Sequence, residues 1–186
     1  MKPVFAVLCG VLLTIAGCSA TPATQATYYR LTDHAPAGRI AVDSAAPVLV
    51  IERLELAEFL LQSGLVLQQG DNLLQVSRQH LWAESLDVAL PKVLQSDLQS
   101  AATAFHIYIQ GKDFIASTTY NLRLQIDNFQ FTDTGLALLT GQYQLVNAMA
   151  GTERLRRNFS FTRDLEQDGY PHAVAQLQTL LEMLAR

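Results

Sequence analysis

Alternation of apolar and polar positions dominates the second half of this 186-residue chain. Segments 120–131, 135–147 and 153–165 each read as a long β-strand, because successive side chains on a pleated strand point to opposite faces. Three such strands in succession predict an antiparallel meander. In the first of them Leu122, Leu124 and Ile126 share one parity, while Phe129 and Phe131 fall on the other. Either that strand has two apolar faces or a bulge near Asp127-Asn128 resets its phase, and the bulge is the more economical of the two.

The first half mixes both periods. Val48 to about Leu56 alternates as a strand, followed by a short turn or helical piece to Gln62. Alternation restarts at Gly64, and Gly70-Asp71-Asn72 before Leu73 to Ser77 predicts a hairpin. Tyr28 to Leu31 and Phe105 to Ile109 read as shorter strands. Leu86, Leu90, Val93, Leu94 and Leu98 recur at helical spacing, predicting an amphipathic helix over 83–101. Pro91 inside it predicts a kink, or a helix that starts later than its pattern, since an interior proline costs about 3 kcal/mol. Val174, Leu177, Leu181 and Leu184 mark a closing helix with Pro171 in its first turn. The order of elements predicts an α+β fold, an antiparallel β-sheet of several strands with two amphipathic helices packed on one face.

The N-terminus follows a different pattern. Lys2 precedes an apolar run from Val4 to Ile15, then small Ala16 and Gly17, then Cys18, which reads as a secretory signal too short to span a bilayer comfortably. The string Ile15-Ala16-Gly17-Cys18 looks like a bacterial lipobox, in which the thiol receives diacylglycerol before cleavage. The expected organisation is a signal peptide over 1–17, a lipidated tether over 18–27 and a single periplasmic α+β domain over 28–186. Cys9 leaves with the signal and Cys18 carries lipid, so no disulfide is expected and no cofactor beyond that covalent lipid. One acyl chain holds a protein only marginally, at about 0.8 kcal/mol per buried CH2, whereas several hold it stably. Ser19, rather than an aspartate, after the cysteine resembles outer-membrane sorting. The expected location is therefore the outer membrane of a Gram-negative bacterium, facing the periplasm.

Charge narrows the partners. The chain has 13 basic and 17 acidic side chains, a formal charge of −4. Losing Lys2 with the signal leaves 12 against 17, or −5, with no basic run, which argues against nucleic acid. Nucleophile-elbow, zinc-helix, phosphate-loop and dinucleotide motifs are absent from the sequence, and no catalytic residue is expected. His34, His80, His106 and His172 are scattered without ligand spacing, so no metal site is expected. Glu52, Glu55 and Glu58 read as a solvated face. Two surfaces are candidates for a partner: the turn after residue 57, where Phe59, Leu60 and Leu61 are more apolar than a free loop needs, and the strand bearing Arg154 and Arg156.

Three stretches then carry a resemblance. "YYRL" holds Tyr28, Tyr29 and Leu31; "LWAESL" holds Leu81, Trp82, Ala83, Glu84 and Leu86; "DGYPHAVAQLQTLLEMLA" opens a helix at Tyr170. With the lipobox, and with the Val48 to Leu98 region in the same order, the chain resembles the ABC-type transport auxiliary lipoproteins, in particular the PqiC-type subunits. Pro91 departs from the family pattern. The resemblance implies a non-enzymatic, lipid-anchored subunit of a membrane-integrity system that moves lipid between membranes. It also implies a PqiB-like MCE-domain tunnel protein as partner and self-association into a homo-oligomeric ring. The competing readings are a stand-alone periplasmic lipid-carrying lipoprotein and, behind it, an envelope hydrolase.

Overall fold

Strand-forming alternation organises the chain into one eight-stranded sheet with two helices, in a computed structural model that describes residues 25–32, 43–102, 104–111 and 119–186. The expected signal peptide, Cys18, most of the tether and His34 lie outside the described residues. Strands β1 (Thr27–Tyr29), β2 (Val48–Leu56), β3 (Gly64–Gln69) and β4 (Leu73–Trp82) come first. Helix α1 (Leu86–Ala101) and β5 (His106–Ile109) follow, then β6 (Tyr120–Thr132), β7 (Leu136–Asn147), β8 (Glu153–Asp164) and α2 (Tyr170–Leu184).

The predicted meander is present as β6–β7–β8, antiparallel throughout. Its first strand carries the expected bulge: Ile126 faces Gly141 and Asn128 faces Thr140, so Asp127 is the extra residue. One inserted residue turns the following side chains over, and Leu122, Leu124, Ile126, Phe129 and Phe131 all enter one core.

β6 is the axis of the sheet. One edge pairs with β7; the other is shared by β2, from Leu49↔Tyr120 to Leu56↔Ile126, and β3, at Leu67↔Phe131 and Gln68↔Thr132. A single 3-10 turn, Glu58–Leu61, carries the chain from one to the other. Here the expectation of an antiparallel sheet is corrected: β1–β4, β2–β5, β2–β6 and β3–β6 are parallel, and the sheet is mixed. For β2–β5, β2–β6 and β3–β6 the physical reason is the long connection through α1, which returns the chain in its original direction, as no hairpin can.

α1 starts at Leu86, the first residue of its apolar pattern and three residues after the expected start at 83, and runs on through Pro91, which is buried inside it. Proline offers no N–H to the carbonyl of Asp87 one turn back. Leu86, Ala89, Leu90, Val93 and Leu94 are its buried stripe, and α2 contributes Val174, Leu177, Leu180 and Leu181 to the same core. Each fully buried leucine contributes roughly 1.5–3 kcal/mol. A polar staple joins the chain after β1 to α2: the Gln178 Nε2 donates to the Thr32 carbonyl at 2.6 Å, and Gln178 Oε1 accepts from the Thr32 hydroxyl at 3.1 Å. Among the described residues no helix is long and apolar enough to cross a membrane.

Candidate functional site

The sheet has one face under the helices and one face open. Positions of outward parity on β2, β6, β7 and β8 line an open groove of about 590 Å³ with Glu52, Arg53, Glu55, Arg123, Gln125, Gln142, Gln144 and Arg156. The side chains form a ladder across the strands. Arg123 Nε donates to Glu52 at 2.6 Å and Arg53 pairs with Glu55 at 2.8 Å. Gln142 Nε2 donates to Gln125 Oε1 at 2.8 Å. At the far side Arg156 Nη2 reaches Glu153 at 2.8 Å, and Gln144 donates to the same carboxylate.

These contacts set the local electrostatics. The hydrogen bond from Arg156, then that from Gln144, holds the Glu153 carboxyl below the usual range. The Glu52 hydrogen bond and charge push the Arg123 guanidinium further up. The groove is thus a charge-compensated surface rich in amide donors and acceptors, on rigid strands. Sequence reasoning missed it, because each strand taken singly shows only a solvated face; the shared outward parity of Arg53, Arg123, Gln142 and Gln144 was the available signal.

The two predicted contact surfaces do not form one patch. Leu60 is 1% exposed and belongs to the core, which removes it as a surface residue: the 3-10 turn rotates it inward toward α1. Phe59 is half-buried against the same core, and Leu61, at 52% exposure, is the exposed apolar side chain of the turn. Arg156 lines the groove on the opposite face. Arg154 is exposed but occupies a bulge, since Leu145 faces Leu155 and Val146 faces Glu153, leaving Arg154 without a cross-strand partner.

Motif residues far apart in sequence meet at one aromatic cluster. Tyr29 sits beside Trp82 in register, and Trp82 stacks on Phe129 at 6.0 Å. His80 stacks on Tyr170 at 3.7 Å and accepts or donates at Nδ1 with the Tyr29 hydroxyl at 3.0 Å. Burial, and then Tyr170, raises the Tyr29 phenol above its ordinary value. Leu31 is buried in the core; Tyr28 and Leu81, paired in register, take the opposite parity, and Tyr28 is exposed. Glu84 pairs with Lys92 on α1. These residues hold β1, β4 and the start of α2 together.

The register also gives the domain two distinct ends. β1 runs parallel to β4 with Thr27 opposite His80, so β1 begins on the side of that pairing nearer the start of β4 at Leu73. That end holds the β3–β4 hairpin tip, where Gly70 N donates to Asp133 Oδ2 in the β6–β7 turn at 3.2 Å. At the other end the β7–β8 turn exposes Met149 almost completely, with Arg154, Arg156 and Arg157 following. The 13 residues of β6 separate the two ends by roughly 40 Å at about 3.3 Å per residue.

The chain matches known proteins over nearly all of this fold. A model of the ABC-type transport auxiliary lipoprotein component family matches residues 29–186. The chain is 24% identical over 165 residues, 89% of its length and 84% of the relative's, to the intermembrane transport lipoprotein PqiC of Escherichia coli K12, and equally to that of Shigella flexneri. Among solved structures it is similar to a protein of Xanthomonas campestris, with a TM-score of 0.69 at 16% identity over 86% of this chain and 90% of that one. It is also similar to an uncharacterized protein, with a TM-score of 0.71 at 19% identity over 87% and 94%. At these identities the structural likeness shows the fold.

Proposed function

The chain belongs to the ABC-type transport auxiliary lipoprotein component family, and from that membership we propose that it is the outer-membrane subunit of a Pqi-type intermembrane lipid transport system. In this reading Cys18 carries the lipid, the domain faces the periplasm, and several copies in a ring dock an MCE-domain tunnel protein. The observation that carries the reading is the family match from Tyr29 onward, directly behind the lipobox Ile15-Ala16-Gly17-Cys18. The likeness to proteins named intermembrane transport lipoprotein supports the same assignment.

The surface chemistry fits a docking subunit. The open groove is lined by arginine, glutamate and glutamine, whereas an acyl chain needs an apolar lining, so the groove does not favour the stand-alone carrier. A non-catalytic role is consistent with a site made of compensated ion pairs, and the energy for transport comes from another component of the system.

Gentle detergent extraction of the tagged protein from its own envelope, with sizing and identification of what co-purifies, tests the proposal. An MCE-domain protein should accompany it and be lost in Leu61→Asp or Arg156→Glu variants that keep their circular dichroism. Leu61 is the suitable turn residue because Phe59 and Leu60 support the core. A lone lipoprotein carrying bound lipid is the result that turns the assignment to the carrier. The mass of the N-terminal peptide reports the acyl chains on Cys18 separately.

A further inference from the structure

Exposed leucines occur singly on most protein surfaces. Among the described residues, the β3–β4 hairpin tip is where two consecutive ones stand in solvent: Leu73 is 58% and Leu74 38% exposed. All of residues 70–75 are exposed. Across the hairpin Leu73 pairs with Gln69 and Leu74 with Gln68, so the two leucines project to opposite sides of the ribbon and make its tip apolar on both. β1 pairs with β4 only from His80 to Trp82, leaving the outer edge of β4 without a strand partner near the tip among the described residues.

What lies beside this tip follows from the chain before β1. β1 begins on the Leu73 side of its pairing with β4. β4 bulges between Val76 and Leu81, so the stretch from Leu81 back to Leu73 lies against only Gly64 to Gln69 of β3 and spans roughly 17 Å at about 3.3 Å per residue. The tether from Cys18 to Ala26 reaches at most roughly 30 Å at about 3.5 Å per residue. An anchor at Cys18 therefore brings the hairpin tip within reach of the surface that holds the lipid. Charge selects the kind of surface. Asp71 is exposed on the tip and Asp133 is bonded to it, so an anionic layer repels this end and a zwitterionic one, with its outward ammonium groups, does not.

We propose that the hairpin tip seats Leu73 and Leu74 in the headgroup layer of a zwitterionic membrane, as a second, non-covalent contact beside the lipid on Cys18. The proposal rests on the anchoring of Cys18 argued above. Its consequence is orientation: a tether alone leaves the domain free to tumble, whereas two contacts stand the sheet on the membrane with the β7–β8 turn facing away.

The test uses the mature, lipidated protein in phosphatidylcholine–phosphatidylethanolamine vesicles, with an environment-sensitive fluorophore on Asn72→Cys or, at the opposite end, on Met149→Cys. The label at 72 should shift to the blue, lose quenching by iodide and gain quenching by brominated lipid, while the label at 149 stays open to iodide. Adding Leu73→Gln and Leu74→Gln should return the label at 72 to iodide, with the circular dichroism unchanged. Equal iodide access at 72 and 149, in protein whose mass shows the acylated N-terminus, overturns the hairpin contact while leaving the anchor intact. An N-terminal peptide without acyl mass overturns the anchor. Deeper shielding at 72 when phosphatidylglycerol is added overturns the zwitterionic assignment.

Discussion

Gly64 sits where β4 folds back over β3: between Gly64↔Leu81 and Val66↔Val76 the register slips, and β4 holds several extra residues there. A Cβ on Gly64 overlaps the carbonyl oxygen of Ser77 and lies 2.6 Å from Val76 Cγ1. Backbone cannot move aside as a side-chain tip can, so Gly64→Ala should cost roughly 2 kcal/mol, in the range of overpacking. For a domain of this size that lowers the Tm by roughly 5 °C. Gly70 is the contrast, with φ +57° and nothing within 4 Å of an added Cβ; asparagine tolerates that conformation, so Gly70→Asn should leave the Tm nearly unchanged. A thermal melt of both variants checks the pair. At Glu153 the prediction concerns pH. Its folded carboxyl is held low by Arg156 and then by Gln144, so its contact stabilises the fold above the unfolded carboxyl value and is lost as pH falls through the lower folded value. An NMR titration of Glu153 should move upward in Arg156→Gln; an unchanged midpoint removes Arg156 as the cause. Because the pair is exposed, its effect on global stability should be small.

Helix α1 tolerates a residue that its own geometry opposes. Relative to alanine, proline in a helix interior costs about 3 kcal/mol. The ring carbons that Pro91 buries beyond an alanine return about 0.8 kcal/mol each. The balance predicts that Pro91→Ala stabilises the domain by roughly 1 kcal/mol, read as a higher midpoint in urea at unchanged slope; a lower midpoint means that the ring packs better than area alone implies. The same local reasoning made much of the fold legible. The long strands β6, β7 and β8 announce themselves by period two, and the parity break between Ile126 and Phe129 located the bulge at Asp127. Pairing partners were not legible. β2 lies between β5 and β6, both remote in sequence, and parallel pairs leave no turn signature as Gly70-Asp71-Asn72 leaves for the hairpin. The groove stayed hidden for the same reason, since Arg53, Arg123, Gln142 and Arg156 become neighbours only through that pairing. In the turn read as a candidate contact, Leu60 enters the core and Leu61 stays outside, a difference that the apolar run Phe59-Leu60-Leu61 does not reveal by itself. His80 read only as one of four scattered histidines because neither Tyr29 nor Tyr170 is near it in sequence.

Over the whole molecule charge is sorted along the sheet. Asp71, Asp133, Asp164, Glu166 and Asp168 gather with Arg163 at the end of the hairpin tip, while Arg154, Arg156 and Arg157 begin β8 near the opposite turn. A chain with a formal charge of −4 repels an acidic partner from a distance unless its charges are segregated in this way. If the membrane holds the acidic end, the arginine end is the first part that an approaching periplasmic protein meets. Arg156 is partly neutralised by Glu153, which leaves Arg154 and Arg157 as the steering charges. Reversing both, Arg154→Glu with Arg157→Glu, should slow association with the co-purifying partner about tenfold at low salt while changing dissociation little, as expected when rim charges act on encounter. The wild-type rate should fall as salt shortens the screening length from about 10 Å at 0.1 M toward 3 Å at 1 M, and the double variant should lose that dependence. Arg78→Glu, a reversal of the same size on β4, is the control and should leave the rate alone. Stopped-flow association with the lipidated protein on vesicles makes the measurement; equal rates for the wild type and the double variant across the salt series would show that the partner docks elsewhere, with the Leu61 turn the next surface to reverse.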